Sequence, residues 1–209
     1  DTAANYLTRP PKRSDVLSVF AGLRPLAAPR SEGKKTKEIS RSHKLIREKS
    51  GLITIIGGKW TTYRKMAQDT LDLAIRYMHI PTKDCITERY QIHGSRKNPD
   101  FSDPLYVYGT DADEIRNLVA SSPAMAEKLH PDYAYTVGEV TWLVRNEMPR
   151  TLEDVLARRL RILFLDARAA MAMAPKVAGV LATGWGKDET WTSAQVKAFN
   201  EVASNYILN

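Results

Sequence analysis

The residues with the most chemical capacity in this chain are Gly57-Gly58-Lys59-Trp60-Thr61-Thr62-Tyr63-Arg64. They follow a β-branched run, Leu52-Ile53-Thr54-Ile55-Ile56, and precede an amphipathic segment from Met66 to Met78. That order is the pattern of a strand, a glycine turn and a helix start. A helix start offers backbone N–H groups without intrahelical acceptors and the positive end of the helix dipole. Two glycines let a ligand come close to the backbone, and Lys59 adds a full positive charge. Such a place suits a phosphate, a carboxylate or the electron-rich edge of a cofactor. The spacing is neither G-x-x-x-x-G-K-[ST] nor G-x-G-x-x-G. On local pattern alone, a tight strand-to-helix turn capped by Thr61 or Thr62 is the first description.

The elements that must position this turn are short. Val16 to Leu26 reads as a bent strand, because Gly22 and Pro25 break a helix. Ser40–Leu45 and Leu52–Ile56 read as two strands with a hairpin turn near Lys49-Ser50-Gly51. Trp60 to His79 is the helix behind the glycine turn. Ile80-Pro81-Thr82-Lys83-Asp84 marks a domain boundary, and 87–109 is loop-like. Helices then follow over Asp111–Ser121, Pro123–Leu129 and Thr136–Met148. A long one spans Thr151–Ala174, opened by a Thr151/Asp154 capping box and ended or bent at Pro175. The last spans Thr192–Tyr206, with Thr192 and Gln195 as a second capping box. The expected fold class is α+β: a short mixed β part over 1–80, then an all-α part over 81–209.

Composition narrows the function classes. With 209 residues and 43% hydrophobic content, the chain can bury a core without bridges, and its one cysteine, Cys85, has no internal partner. No apolar run approaches the roughly 18 residues that span a bilayer. The net charge of +7 is uneven. Twelve Lys and Arg stand against five Asp and Glu in residues 1–50, whereas nineteen face nineteen in the rest. That basic quarter suits a solvated loop, an anionic substrate, or a nucleic-acid or membrane patch. Its aromatics are only Tyr6 and Phe20, which argues against single-stranded nucleic acid. The histidines and Cys85 lack metal-ligand spacing, so no metal is expected.

Ala21-Gly22-Leu23-Arg24-Pro25-Leu26, Ile39-Ser40-Arg41 and Gly57 to Arg64 stand in the order found in FAD-dependent glycerol-3-phosphate dehydrogenases, and the chain resembles that family. Glu147-Met148, Arg150-Thr151, Glu153 to Arg159 and Leu165 to Ala170 extend the resemblance into the helical part. The resemblance implies a C-terminal portion: the end of an FAD and substrate domain, then the helical C-terminal domain. The dinucleotide-binding segment would lie in a missing N-terminal part, and the isolated chain would be inactive.

The reaction implied is oxidation of sn-glycerol 3-phosphate to dihydroxyacetone phosphate, with FAD as cofactor and quinone or oxygen as acceptor. By the same resemblance, Arg24 and Arg41 bind the substrate phosphate. Lys59 sits beside the flavin ring and the reacting carbon as the catalytic cation. Gly57, Gly58, Lys59, Trp60 and Thr61 are the implied cofactor-binding residues, Lys59 as a cation and the other four through backbone N–H groups. The implied setting is cytoplasmic, peripheral at the inner face of a membrane, with a homodimer as a further partnership and no nucleic acid. The alternative reading is a non-catalytic helical interaction or dimerisation domain. His43, although beside Arg41, reads as structural, and Arg64 as half of an ion pair. Arg158, Arg159, Arg161 and Arg168 read as an ion network with Glu147, Glu153, Asp154 and Asp166. Arg161 and Arg168 would share one helix face, and Leu160, Leu163, Phe164 and Ala167 would be core.

Overall fold

The computed structural model describes residues 2–23 and 42–208. The chain divides into two compact units, Gly22–Ile92 and a helical unit of Asp1–Ala21 with His93–Asn209. The secondary structure is α+β, as expected.

In the 22–92 unit, β1 (His43–Arg47) and β2 (Ile53–Gly57) form an antiparallel hairpin in which His43 pairs with Gly57 and Arg47 with Ile53. The tight turn between them is closed by Gly51 N–H donating to the Glu48 carbonyl at 3.1 Å. The first strand therefore runs two residues past the expected Leu45, because the ladder continues to the turn. A single 3₁₀ turn, Trp60–Thr62, then leads into α1 (Tyr63–Met78). His79, in the left-handed region at φ 54°, ends α1 by donating its N–H to the Ile75 carbonyl. No residue from 42 to 92 is fully buried. A hairpin and one helix bury little apolar surface, and such an assembly is marginal by itself.

The helical unit holds the core. Its helices are α2 (Ala112–Ala120), α3 (Pro123–Ala126), α4 (Val137–Asn146), α5 (Leu152–Leu156), α6 (Ile162–Leu165), α7 (Ala167–Trp185) and α8 (Glu189–Ser204). α7 packs against α4, α5, α6 and α8. Leu160, Leu163 and Ala167 are buried, and Phe164 packs against them, as the sequence predicts.

The long helix expected over 151–174 is three helices. Arg161 takes φ 61° and Asp166 φ −153°, both outside helical space. Asp166 is the N-cap of α7: one carboxylate oxygen accepts Ala169 N–H at 2.9 Å, and the other accepts the Tyr133 hydroxyl at 2.9 Å. Asp166 is thus a cap and not an ion-pair partner, and Arg161 and Arg168 share no helix face. Pro175 lies inside α7 on its exposed side. An internal proline costs about 3 kcal/mol. Burial of Met173, Val177 and Leu181 on the opposite face, at about 1.5–3 kcal/mol each, outweighs it.

The Thr151/Asp154 capping box is present, with Asp154 N–H donating to Thr151 Oγ1 at 3.2 Å and Thr151 N–H to Asp154 Oδ2 at 3.0 Å. The second box is not. Asp188 caps α8 by accepting Trp191 N–H at 2.8 Å, while Gln195 Oε1 accepts Leu152 N–H at 3.3 Å and ties α8 to α5. The strand expected over 16–26 is also absent in its described part, 16–23. Those residues run extended along helix ends instead. Ala167 N–H donates to the Leu17 carbonyl at 3.2 Å, Ser18 Oγ to the Leu163 carbonyl at 2.7 Å, and Val19 N–H to the Tyr206 carbonyl at 2.8 Å. Helix-terminal groups that lack intrahelical partners take the place of a neighbouring strand.

One acid is buried in this core. Glu139 on α4 is 4% exposed and accepts the Tyr108 hydroxyl at 2.7 Å. Burial pushes its carboxyl up from 4.5 to about 7, against the opposing effect of the Tyr108 hydrogen bond. A raised carboxyl binds its proton more tightly in the folded state. Stability therefore falls as pH rises from the unfolded value through the folded one, and is level above. Glu139→Gln removes that slope. The variant is expected to gain relative to the parent with rising pH, by about 3 kcal/mol at pH 8. Urea titrations at pH 4.5, 6 and 8 check this, and parallel stability curves would refute it.

Candidate functional site

The glycine turn is built by the end of β2 and the start of α1. Gly57 and Gly58 sit at φ 75° and 84°, in the left-handed region that glycine occupies without penalty. A Cβ on Gly58 would also fall 2.4 Å from Met66 Sδ, so the helix packs directly onto the space left by the missing side chain. Beyond the glycines, Lys59 returns to an extended conformation. Thr62 then locks it: the Thr62 hydroxyl donates to the Lys59 carbonyl at 3.0 Å and accepts Lys59 N–H at 3.2 Å. Thr62 stands at the N-cap position of α1 but makes no side-chain cap there. Its hydroxyl closes the Lys59 turn instead of capping the helix.

What remains open at this turn is donor-rich. Trp60 and Thr61 N–H groups open the 3₁₀ turn and so lack partners within it. Lys59 and Thr61 are exposed, and Trp60 is 86% exposed against the exposed Tyr63, ring centroids 5.6 Å apart. Trp60 is therefore not a core residue beneath the helix. The sixteen residues of α1 direct the positive end of their dipole here. The turn carries no carboxylate from Gly57 to Arg64.

The turn is fixed from behind by a charged pin. His43 Nε2 on β1 lies 2.9 Å from Asp69 Oδ2, and Lys65 Nζ lies 2.9 Å from Asp69 Oδ1. The Lys65 ammonium, then His43, holds the Asp69 carboxyl below its usual range, against some desolvation. The same contact raises Lys65. His43 thus braces helix to hairpin, the structural role read from the sequence. Arg64 pairs with Glu88 at 3.3 Å and also reaches Gln68 and Thr87, again a structural partner. Among the described residues, no group of His, Cys, Asp and Glu could hold a metal ion.

The structure brings together Gly57, Gly58, Lys59, Trp60 and Thr61. Arg24 and Arg41 lie outside the described residues. The sequence reading missed Asp69 and the Thr62–Lys59 lock. The Lys65/Asp69 spacing of four was a visible signal for the first; its contact with His43, across 26 residues, was not. The arginine network is correct in part. Arg158 pairs with Glu153 and Asp154. Arg159 Nε lies 3.1 Å from Glu147 Oε2, close enough for attraction but not aligned for a hydrogen bond.

Comparison with known proteins places these residues in context. A family model described as the C-terminal domain of alpha-glycerophosphate oxidase matches residues 52–192. The chain is 31% identical to the mitochondrial glycerol-3-phosphate dehydrogenase SDP6 of Arabidopsis thaliana over 99% of this chain and 37% of that protein. It is 36% identical to a probable mitochondrial glycerol-3-phosphate dehydrogenase of Caenorhabditis elegans over 94% of this chain and 29% of that protein. A probable mitochondrial glycerol-3-phosphate dehydrogenase of Dictyostelium discoideum is also 36% identical, over 81% of this chain and 30% of that protein. The chain thus spans about a third of the length of the curated relatives it matches.

Two substitutions test the architecture of the turn. Gly58→Ala forces a side chain into left-handed backbone and is expected to destabilise the hairpin unit by about 1–2 kcal/mol, read by amide exchange of β1 and β2. Asp69→Asn removes the pin. The contribution of a depressed carboxyl is full above the usual carboxylate range and is lost as pH falls through the folded value. Parent β1 amides should therefore lose protection on acidification, while Asp69→Asn amides are less protected at pH 7 and change little. Equal protection of the two proteins at pH 7 would discard the pin.

Proposed function

The chain belongs to the family of the C-terminal domain of alpha-glycerophosphate oxidase, and from that premise we propose that it supplies part of the active site of an FAD-dependent glycerol-3-phosphate dehydrogenase. The observation that carries the reading is the Gly57–Thr61 turn: left-handed glycines, the N–H groups of Trp60 and Thr61 at the opening of a 3₁₀ turn, and a lysine without an ion-pair partner among the described residues. These residues fit a flavin edge. No Cβ on the exposed Gly57 keeps a planar ring away, and the donors and Lys59 favour negative charge.

Bound there, FAD would supply the two-electron acceptor for oxidation of glycerol 3-phosphate to dihydroxyacetone phosphate, with a quinone or oxygen as the onward acceptor. In this reading the N–H groups of Gly57, Gly58, Trp60 and Thr61 orient the cofactor edge. Lys59 stabilises negative charge on the reacting centre. Arg24 and Arg41 hold the substrate phosphate with charge-assisted hydrogen bonds. The functional division is 1–80 for the end of the FAD and substrate domain and 81–209 for the helical C-terminal domain.

The lack of any fully buried residue from 42 to 92 supports a further part of the reading. We assign the completion of this unit to an N-terminal segment that carries the dinucleotide fold, so the chain alone is inactive. No described helix is long and apolar enough to cross a membrane; the proposed attachment is at a membrane surface. A helical interaction or dimerisation role is the second reading, favoured by the concentration of the buried core, among the described residues, in the helical unit.

The test is the visible spectrum of FAD titrated with the chain, alone and with the N-terminal segment of a matching dehydrogenase. A flavin band perturbed only in the mixture, and bleached by glycerol 3-phosphate, is expected. Lys59→Ala should leave the band perturbed while lowering kcat/KM by about 100-fold or more. An unperturbed band in a mixture of folded components would reject the flavin reading, and self-association without flavin would favour the second.

A further inference from the structure

The helical unit contains a trough that the proposed redox role does not use. It lies between α4 and α7 and has two basins. The first, of about 660 Å³, is walled mainly by Met125, Val137, Val144, Val180 and Trp185. The second, of about 640 Å³, shares Val144 and Trp185 with the first, so the two adjoin, and it adds Met148, Arg150, Lys187 and Trp191. Both volumes fall in the range of small-molecule sites.

The two basins differ in chemistry. Small residues open the first: Gly179 faces it with nothing within 4 Å of where a Cβ would be. The second is framed by Trp185 and Trp191, packed edge to face with centroids 6.0 Å apart. Arg145 borders the first basin, and Arg150 and Lys187 line the second. Among the described residues, none of these three side chains has an ion-pair partner. The remaining cation at the trough, Lys176, is satisfied by Glu127 at 2.6 Å. Among the described residues, no carboxylate lines either basin.

We propose that this trough binds a single-chain anionic amphiphile, its hydrocarbon chain in the α4–α7 basin and its carboxylate or phosphate head at Arg150 and Lys187. The first basin is mainly apolar, with Arg145 at its border and Lys176 paired, whereas Arg150 and Lys187 stand together in the second, an arrangement that matches a molecule with its charge at one end. An amphipathic acidic peptide would need the two characters interleaved along the groove. A cationic or neutral head would leave the cations unopposed.

The experiment is calorimetric titration of the whole chain with octanoate, decanoate and dodecanoate, each below its micelle concentration. Saturable binding of one molecule is expected, tightening by up to about fourfold for each added methylene as chain surface leaves water. Dodecyl maltoside, with the same chain and an uncharged head, should bind at least about tenfold more weakly, because the cations then gain no partner. Arg150→Glu with Lys187→Glu should weaken dodecanoate to the same extent. Gly179→Leu should block the chain, and the open space at that position, together with leucine's better helix propensity, lets the variant fold with melting at or above that of the parent. Equal binding of dodecanoate and dodecyl maltoside would overturn the proposal, as would indifference to Gly179→Leu. Sedimentation with phosphatidylglycerol vesicles but no binding of dodecanoate would overturn it in favour of a bilayer surface.

Discussion

Burial along α7 is the constraint on which the helical unit depends. Nine of its nineteen residues are buried, and six of those nine are alanines. Alanine keeps helix propensity high and lets neighbouring backbones approach closely. One helix can therefore contact α4, α5, α6 and α8 together. The short α5 and α6 would be marginal in isolation; they persist because Leu152, Leu156, Ile162 and Leu163 are spent in the α7 core. Even the extended residues 17–19 are held by groups at the ends of α6, α7 and α8.

The 22–92 unit obeys a different rule. Its order comes from backbone geometry and polar contacts, not from depth of burial. Two left-handed glycines, one hydroxyl locked to Lys59 and one carboxylate shared by His43 and Lys65 set the turn. Each contact is partly solvated and individually modest. That economy suits a surface meant to meet a ligand or another chain segment, because a turn that buried its own donors would have none left to offer. The same sparseness means that the turn's rigidity rests on whatever packs against the hairpin.

What was legible in the sequence follows from this contrast. The hairpin and glycine turn were readable because Leu52–Ile56 and Gly57-Gly58 are local signals, complete within ten residues. The core residues Leu160, Leu163 and Ala167 were readable from apolar spacing. Asp166 was misread because a capping aspartate and an ion-pair aspartate are the same letter, and only the φ of 166 separates them. Pro175 was read as ending or bending the helix; α7 continues through it, because the exposed side on which it sits is set by tertiary packing. The His43–Asp69 contact had no local signature, being made between β1 and α1 after both are formed. Arg24 and Arg41 were legible only through family resemblance, since nothing in their spacing marks a phosphate site.

The trough and the turn also divide the chain by the sort of precision each demands. Redox chemistry needs donors fixed to within fractions of an ångström, and backbone N–H groups on a constrained turn provide that without side-chain entropy. An amphiphile's chain needs only apolar volume and a charge of the right sign at one end. Valine, methionine and tryptophan walls with unpaired arginine and lysine meet that looser demand. A helical unit with a deep core can keep such a trough open, because its stability does not depend on filling it: the walls come from faces of α4 and α7 whose opposite sides are already buried. The marginal 22–92 unit has no such reserve, and its polar pocket beside Cys85, of about 360 Å³, lies on a surface where every lining side chain from Thr82 to Cys85 is exposed. Depth of core is thus what lets the helical unit hold its apolar walls apart, although Met148, Arg150 and Lys187 at the second basin are themselves exposed.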